Sequence, residues 1–281
     1  VIPEGAAAEL RRLTLARERR LQRRTALYNQ LQDLVFILFP EFLQVMKDLK
    51  TRSAQYLLHH CPTPQEIRSL GLEALSAILR KVSRGKLTPE RAQALYEAAQ
   101  QSVGLKEGQR GILLEVGHLL SELDLLKGFI HQLEREMACT LHQIPCSRSL
   151  LSLKGIGKIT AAGLIGEVGD FGKFSTFSEV EKLAGLNLFE ISSGKFRGNR
   201  HISKRGRPLL RKLLFFAAIN TVRKGGVMYA PYRKYLERGM PKIKALVAIS
   251  RKLLKILFAF VRDHSEYQKN YSQEKGLKLA A

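Results

Sequence analysis

The sequence is poor in cysteine and in acidic side chains, and it has no long hydrophobic run. Three cysteines in 281 residues are too few for a disulfide framework, which favours a reducing cytosol. The apolar runs from Leu34 to Phe39 and from Leu213 to Ile219 are far shorter than the roughly 18 residues of a membrane helix, so no membrane partner is expected. The first ten residues lack the basic-then-apolar order of a secretory signal, so we expect a cytoplasmic protein.

The scarcity of acids leaves a large positive charge. The chain has 25 Asp and Glu against 47 Lys and Arg, a formal net charge of +22. Residues 1–150 carry 21 basic and 16 acidic side chains, whereas residues 151–281 carry 26 and 9. Within residues 191–262 there are 19 bases, and Glu237 is the one acid. A solvated charged face does not explain such an imbalance, which predicts a polyanionic partner for the C-terminal half.

The first half has the hydrophobic spacing of long helices. Apolar residues in steps of three and four predict an Arg-rich helix from Glu9 to Leu38 that Pro40 ends. Thr-Pro caps predict helices from Pro64 to Val82 and from Pro89 to Val103. A longer segment, from Gly111 to Leu141, has a coiled-coil seam. Its apolar positions are Leu113, Val116, Leu120, Leu123, Leu126, Ile130, Leu133, Met137 and Leu141.

The seam could pair with the first helix as an antiparallel hairpin, or with a second protomer as a homo-oligomer. The sequence does not decide between them, although the capped helices between the two segments favour the hairpin. Pro145 breaks the seam, so we predict an all-α fold in which a coiled-coil arm precedes a compact helical domain. The predicted divisions are a linker region with a small helical insertion (1–144), the compact domain (145–268) and a tail (269–281).

The second half opens with a pattern typical of a helix-hairpin-helix. Residues 150–169 read LLSLKGIGKITAAGLIGEVG, where two glycines separate an apolar helix end from a helix of small residues. Backbone N–H groups at such a turn can hold a phosphate, although a plain turn between helices has the same pattern. The residues predicted to contact nucleic acid here are Lys154, Gly155, Gly157 and Lys158. Glu167 and Asp170, close behind the hairpin, are interpreted as surface acids at a helix end.

The densest basic cluster is residues 191–208, ISSGKFRGNRHISKRGRP. It joins two adjacent hydroxyls, Ser192 and Ser193, to a glycine and several bases. Guanidinium groups could stabilise a phosphorane-like transition state for attack by a serine. From the residues alone, a phosphate-binding loop is the simpler interpretation. His201, inside the cluster, could contact a phosphate or donate a proton. Basic amphipathic helices are predicted from Pro208 to Val222 and from Met240 to Val261.

Four motifs follow one another in this half: LxGIGxxTAxxLxxEVGDxxxF at Leu153–Phe174, AGL at Ala184–Leu186, SSG at Ser192–Gly194, and ISKRG at Ile202–Gly206 before LLRKLL. This ordered set resembles the C-terminal transposase domain of insertion-sequence transposases of the 110, 116 and 902 type. The Leu-Phe-Pro-Glu step at Leu38–Glu41 is similar to the linker region of that family. The resemblance therefore covers nearly the whole chain.

The resemblance implies DNA transposition or site-specific recombination in a prokaryotic cytoplasm, in association with the nucleoid. It implies that Ser193 attacks DNA and forms a phosphoserine, with Ser192 as a second choice. The residues around the serine that would bind phosphates are Gly194, Lys195, Arg197, Arg200, Lys204 and Arg205. DNA is the implied partner, and some family members also use a guide (bridge) RNA.

This sequence departs from the family pattern in three respects. Leu188 stands where proline is common, and Arg207 stands where asparagine often follows ISKRG. Family members also have an N-terminal RuvC-like domain with an Asp-Glu-Asp-Asp site for Mg²⁺, and we identify no such set here. We therefore expect no metal site in this chain, with Mg²⁺ bound by the missing domain. The chain would then be a fragment, a split product or a decayed remnant, and the alternative function is non-catalytic nucleic-acid binding.

Overall fold

The computed structural model describes residues 2–190, the backbone of 192–193 and 196–197, and residues 200–267. Within these ranges the chain forms thirteen α-helices, a 3-10 turn at Phe171–Lys173 and four two-residue strands. The predicted all-α class is confirmed, since the strands are confined to a short stretch between residues 188 and 202. No helix in the described ranges is long and apolar enough to cross a membrane. The predicted tail, residues 269–281, lies outside the described residues.

The chain divides into two compact units, one of which comprises residues 18–131. Two long helices, α1 (Gly5–Leu38) and α7 (Gln109–His142), contribute one end each to this unit. The helices between them are α2 (Pro40–Met46), α3 (Arg52–His60), α4 (Pro64–Leu70), α5 (Leu72–Ser83) and α6 (Pro89–Gln100). Its core is formed by nearly fully buried apolar side chains, which include Leu27, Leu31, Phe39, Phe42, Leu57, Leu75, Leu95, Val116 and Leu123.

Local sequence explains where these short helices begin and end. The Thr63 hydroxyl accepts from the Glu66 amide at 3.2 Å, and a Glu66 carboxylate oxygen accepts from the Thr63 amide at 2.9 Å. This capping box starts α4 at Pro64. The predicted helix from Pro64 to Val82 is in fact two helices. Gly71 separates them because its φ of +78° is incompatible with a continuous helix.

Within this unit α1 and α7 run antiparallel. The Nε atom of Arg23 lies 2.7 Å from Oε1 of Glu122, and the guanidinium of Arg20 lies 6.0 Å from the centroid of the Phe129 ring. A later residue of α1 thus meets an earlier residue of α7, as expected for the predicted antiparallel hairpin of the two helices within one chain. Over the whole chain most of the predicted seam residues are buried: Val116, Leu120, Leu123, Leu126, Ile130, Met137 and Leu141. The homo-oligomer stays a prediction.

The second unit comprises residues 1–17 and 132–281. Besides the other ends of α1 and α7, it contains α8 (Ser147–Ser152), α9 (Lys158–Val168), α10 (Phe177–Ala184), α11 (Pro208–Thr221), α12 (Tyr229–Glu237) and α13 (Lys242–Arg262). Its core includes Leu10, Met137, Leu141, Leu164, Ile165, Leu214 and Leu253. The predicted boundary between residues 144 and 145 lies inside this unit, because parts of both long helices pack on its core.

Small residues of α9 allow this close packing. A Cβ atom on Gly163 would lie 2.8 Å from Cδ1 of Leu213, and one on Gly166 would lie 2.7 Å from the backbone nitrogen of Arg11. Residues 161–168 are all buried. The second unit therefore closes around α9 on every side.

The four strands form two antiparallel ladders in a stretch predicted as a Gly-rich loop. Strand β1 (Leu188–Phe189) pairs with β4 (His201–Ile202), and β2 (Ser192–Ser193) pairs with β3 (Phe196–Arg197). Each ladder holds two residue pairs. We call residues 188–202 the serine hairpin.

Candidate nucleic-acid interface

The predicted helix-hairpin-helix turn joins α8 to α9 and rests on the end of α11. The carbonyl of Leu153 accepts from the amide of Ile156 at 3.1 Å. Gly155 has a φ of +112°, and a Cβ atom there would lie 2.8 Å from Cγ2 of Thr221. Glycine is therefore needed at position 155 for two reasons, the positive φ and the close contact with Thr221. A Cβ atom on Gly157 would meet nothing within 4 Å, so packing inside the described chain places no demand on Gly157.

The start of α9 is open to an anion. Gly157 is its N-cap and supplies no side-chain acceptor, and the first N–H groups of an α-helix have no acceptor within the helix. Lys154, Gly157 and Lys158 are exposed. Two ammonium groups, free N–H groups and the helix dipole thus occur together, which suits a phosphate.

A second feature joins the AGL and SKRG motifs. The amides of Ser203, Lys204 and Arg207 donate to the carbonyls of Asn187, Gly185 and Leu183 at 2.9, 3.0 and 2.8 Å. We call this contact between residues 183–187 and 203–207 the clasp. The chain enters the serine hairpin from one side of the clasp and returns to the other. Backbone hydrogen bonds therefore fix both ends of the hairpin.

Glycine is required on both sides of the clasp. Gly185 has a φ of +64°, and a Cβ atom there would lie 2.9 Å from the carbonyl oxygen of Arg205. A Cβ atom on Gly206 would lie 2.5 Å from the carbonyl oxygen of Leu183. Lys204 has a left-handed φ of +54°, which is uncommon outside glycine. Lys204 and Arg205 are exposed, so the clasp holds two cationic side chains at the base of the hairpin.

The register of the serine hairpin places Ser193 opposite Phe196 and Ser192 opposite Arg197. The side chains of these four residues, and the whole of Gly194 and Lys195, lie outside the described residues. At the base of the hairpin Phe189 pairs with His201. Arg200 is exposed, and its Nε donates to a carboxylate oxygen of Glu190 at 2.8 Å. One predicted phosphate ligand is thus partly neutralised by a neighbouring acid.

Helix α11 separates the predicted binding residues into two groups. Lys204 and Arg205 precede its first turn, whereas the turn at Gly155 packs on Thr221, its last residue. A helix of 14 residues is roughly 21 Å long at 1.5 Å per residue. The described residues therefore offer two basic contact points at opposite ends of one helix.

The interpretation of Glu167 as a surface acid is wrong. Its side chain is only 3% exposed, and its Oε1 lies 3.7 Å from Nε of Arg11. Neither atom has a hydrogen-bond partner among the described residues. Arg207 donates to the backbone carbonyl of Glu167. Burial, followed by the charge of Arg11, lowers the pKa of Arg207, and Glu167 opposes this shift.

A signal for this burial was present in the sequence. Glu167 lies in a helix whose other residues are small or apolar on all sides, and such a helix is buried throughout. Asp170, by contrast, is exposed as predicted, and its Oδ1 accepts from the amide of Gly172 at 2.8 Å. No group of three or more His, Cys, Asp or Glu in the described part of the chain could hold a metal ion.

The hairpin turn, the clasp and α11 lie in one segment with known relatives. Residues 147–233 match the model of the family described as Transposase IS116/IS110/IS902. This segment is therefore similar to the transposase domain of that family. The resemblance seen in the motifs is thereby confirmed. The matched segment ends before α13 begins.

Curated proteins similar to this chain come from insertion elements. The chain is 26% identical over 258 residues to a 43.6 kDa protein of insertion element IS110 from Streptomyces coelicolor, covering 90% of this chain and 62% of the relative. It is 25% identical over 263 residues to a 44.8 kDa protein of IS116 from Streptomyces clavuligerus, covering 93% and 65%. A 42 kDa protein of IS900 from Mycobacterium paratuberculosis is 26% identical over 219 residues, covering 78% and 55%. The chain thus spans less than two thirds of the length of each relative.

Proposed function

We propose that this chain is the nucleic-acid-binding and serine-bearing part of an insertion-sequence transposase that acts in DNA transposition or site-specific recombination. The observation that carries the proposal is the clasp within the transposase domain. It holds Lys204 and Arg205 at the base of a hairpin that contains Ser193. A basic, anchored hairpin with a hydroxyl near its end is suited to phosphoryl transfer on DNA.

In this proposal the two ends of α11 bind different phosphates. Lys154, Gly155, Gly157 and Lys158 hold one at the start of α9, through N–H groups and positive charge. The second group lies on and beside the serine hairpin and surrounds the reacting phosphate. Its members are Gly194, Lys195, Arg197, Arg200, Lys204 and Arg205. Contacts of this kind position DNA without reading its sequence.

The proposed reaction is attack by the Ser193 hydroxyl oxygen on a DNA phosphorus atom. The new Oγ–P bond forms as a bond from phosphorus to a sugar oxygen breaks. The serine proton passes to water, and the departing sugar oxygen takes up a proton. Arg197, Lys204 and Arg205 stabilise the negative charge that develops on the phosphate oxygens.

Mg²⁺ is implied by the resemblance, but the described residues offer no cluster that fits it. No step of the proposed reaction therefore runs through a metal held by this chain. The carboxylates for Mg²⁺ would belong to a RuvC-like domain, as in the family. A guide RNA and a homo-oligomer stay predictions.

Covalent capture tests the role of the serine. The chain is incubated with labelled DNA carrying the element's end, Mg²⁺ and a RuvC-like domain supplied in trans, and adducts are separated on a denaturing gel. We expect an adduct with the unmodified chain and with Ser192→Ala, and none with Ser193→Ala. We expect the chain alone to bind DNA without cleaving it. Binding without any adduct would instead support the non-catalytic alternative.

A further inference from the structure

Apart from Lys242 in its first turn, helix α13 carries its basic side chains on one side. Lys244, Arg251, Lys255 and Arg262 are 7, 4 and 7 residues apart, close to whole numbers of turns at 3.6 residues each, and Lys252 lies beside this row. The opposite face packs into the core of its unit, where Ala245, Ile249, Leu253 and Leu257 are buried. We call Lys244, Arg251, Lys252, Lys255 and Arg262 the α13 basic face.

Only part of this charge is balanced within the described residues. Arg251 forms an ion pair with Glu181, and Nε of Arg262 lies 2.7 Å from Oδ1 of Asp263. Lys244, Lys252 and Lys255 are exposed, and none forms an ion pair within the described part of the chain. The helix itself contains no acidic residue. The α13 basic face therefore presents three unbalanced ammonium groups.

Neither packing nor the transposase domain explains these three lysines. The apolar face is sufficient to hold α13 in its unit, and like charges on one helix face are mildly destabilising. The family match ends at residue 233, nine residues before α13 begins. A solvated helix face usually mixes both signs of charge. The α13 basic face is thus arranged for a partner outside the chain.

The side chains between the lysines indicate which polyanion this partner is. Ala248 and Ala259 are small and partly exposed, and the helix has no exposed aromatic side chain. Proteins that hold unpaired nucleotides use aromatic platforms, which this face lacks. Lys244 and Lys255 are roughly 16 Å apart along the helix axis. A straight row of cationic side chains at fixed distances suits a phosphate backbone with regularly spaced charges.

We propose that the α13 basic face binds the phosphate backbone of duplex DNA. This contact is separate from the clasp and from the turn between α8 and α9. The inference rests on the proposed function, because it supposes that the chain acts on DNA. It adds a binding surface beyond the transposase domain. This surface contributes affinity and orientation, and it contains no reacting group.

The test uses the full chain with Lys244, Lys252 and Lys255 all changed to Gln. A matched control changes three exposed lysines of the other unit, Lys81, Lys86 and Lys106, to Gln and removes the same charge. Fluorescence anisotropy measures the affinity for duplex DNA, single-stranded DNA and duplex RNA over a series of salt concentrations. Thermal unfolding compares the stability of the three proteins.

We expect the log–log salt slope of the α13 variant to be shallower by about 2.7, which corresponds to about 500-fold weaker binding to duplex DNA near 0.1 M salt. The control should change affinity less than about twofold. If the triple variant does not fold, Lys255→Gln alone should reduce the slope by about 0.9.

The unmodified chain must bind duplex DNA for the comparison to count. If the folded α13 variant then shows the same affinity for duplex DNA and the same salt slope, the inference is overturned and the proposed function is left intact. An equal loss in the control would overturn it too, since net charge would then be the cause. A larger loss with RNA or single-stranded DNA would refute the choice of duplex DNA. If the unmodified chain bound no DNA, the proposed function and the inference would both fail.

Discussion

A Cβ atom on Gly206 would lie 2.6 Å from the backbone nitrogen of Gly185, so these two glycines bring their chain segments into direct backbone contact. The AGL and ISKRG motifs, which are separated along the sequence, form the two sides of this contact. The clasp therefore gives a physical reason for the presence of both motifs in the segment that matches the transposase family.

Replacing Gly206 by Ala tests the clasp. The added methyl group would collide with backbone atoms that cannot move independently, and φ is +154°. We expect the free energy of unfolding to fall by roughly 2–3 kcal/mol, measured by denaturant titration. Gly128→Ala is the control, because its Cβ has open space in the middle of α7. That change should stabilise by roughly 0.5–1 kcal/mol. Equal stability of Gly206→Ala and the unmodified chain would contradict the clasp.

The two glycines of the hairpin turn should respond differently to alanine. Gly155→Ala should lower stability, since the new methyl group would press on Thr221 and φ is +112°. Gly157→Ala should lower the unfolding temperature only slightly, because its Cβ has open space and alanine is merely a poorer N-cap, and should weaken DNA binding by blocking close approach of a phosphate. Anisotropy and thermal unfolding on both variants check this. Full DNA affinity in a stable Gly157→Ala protein would contradict a phosphate site at the start of α9.

The buried carboxylate of Glu167 should stabilise its unit through Arg11 and Arg207. Glu167→Gln removes the negative charge beside two guanidinium groups, and we expect the free energy of unfolding to fall by roughly 2–3 kcal/mol. Glu237→Gln is the control, since its pair with Arg233 is exposed at 3.6 Å and is worth about 0.5 kcal/mol or less. Similar losses of unfolding free energy in both variants would show that burial does not strengthen the pair of Glu167 and Arg11.

Two leucines near each other on α7 provide a matched test of the seam. Leu123 is 1% exposed and Leu125 is 64% exposed. Leu123→Asp should cost several kcal/mol, because it places an unpaired charge in the core, and should unfold the unit of residues 18–131. Leu125→Asp should leave circular dichroism and the unfolding temperature nearly unchanged. The same behaviour from both variants would mean that Leu123 does not lie in a packed core.

The three cysteines should differ in their reaction with an alkylating reagent. Cys139 is exposed, whereas burial raises the pKa of Cys146 and, together with the charge of Glu66, raises the pKa of Cys61 to about 11. At pH 8 only about one Cys61 thiol in a thousand is ionised, and this fraction grows as the pH rises toward the pKa. Mass spectrometry at pH 8 should therefore find label on Cys139 first. Early labelling of Cys61 would contradict its burial.

Regular local patterns predicted most of the long helices. The expected helix from Gly111 to Leu141 is α7, Gln109–His142, and the expected helix from Met240 to Val261 is α13, Lys242–Arg262. Pro40 ends α1 as predicted, but it also starts α2, because proline is accepted in the first turn of a helix. Helices α2, α3 and α12 were not predicted, since their short apolar patterns are weak beside those of the long helices.

The sequence by itself determined the helical class, the family motifs and the two basic segments that contain glycine, residues 154–158 and 191–208. It could do so because periodicity, helix caps and charge are local properties. Tertiary structure alone decided that Gly155 rests on Thr221, that Gly185 faces Gly206, and that Glu167 is buried near Arg11. Each of these contacts joins residues that are far apart along the chain. Such contacts depend on how whole helices pack together, which no local pattern of residues specifies.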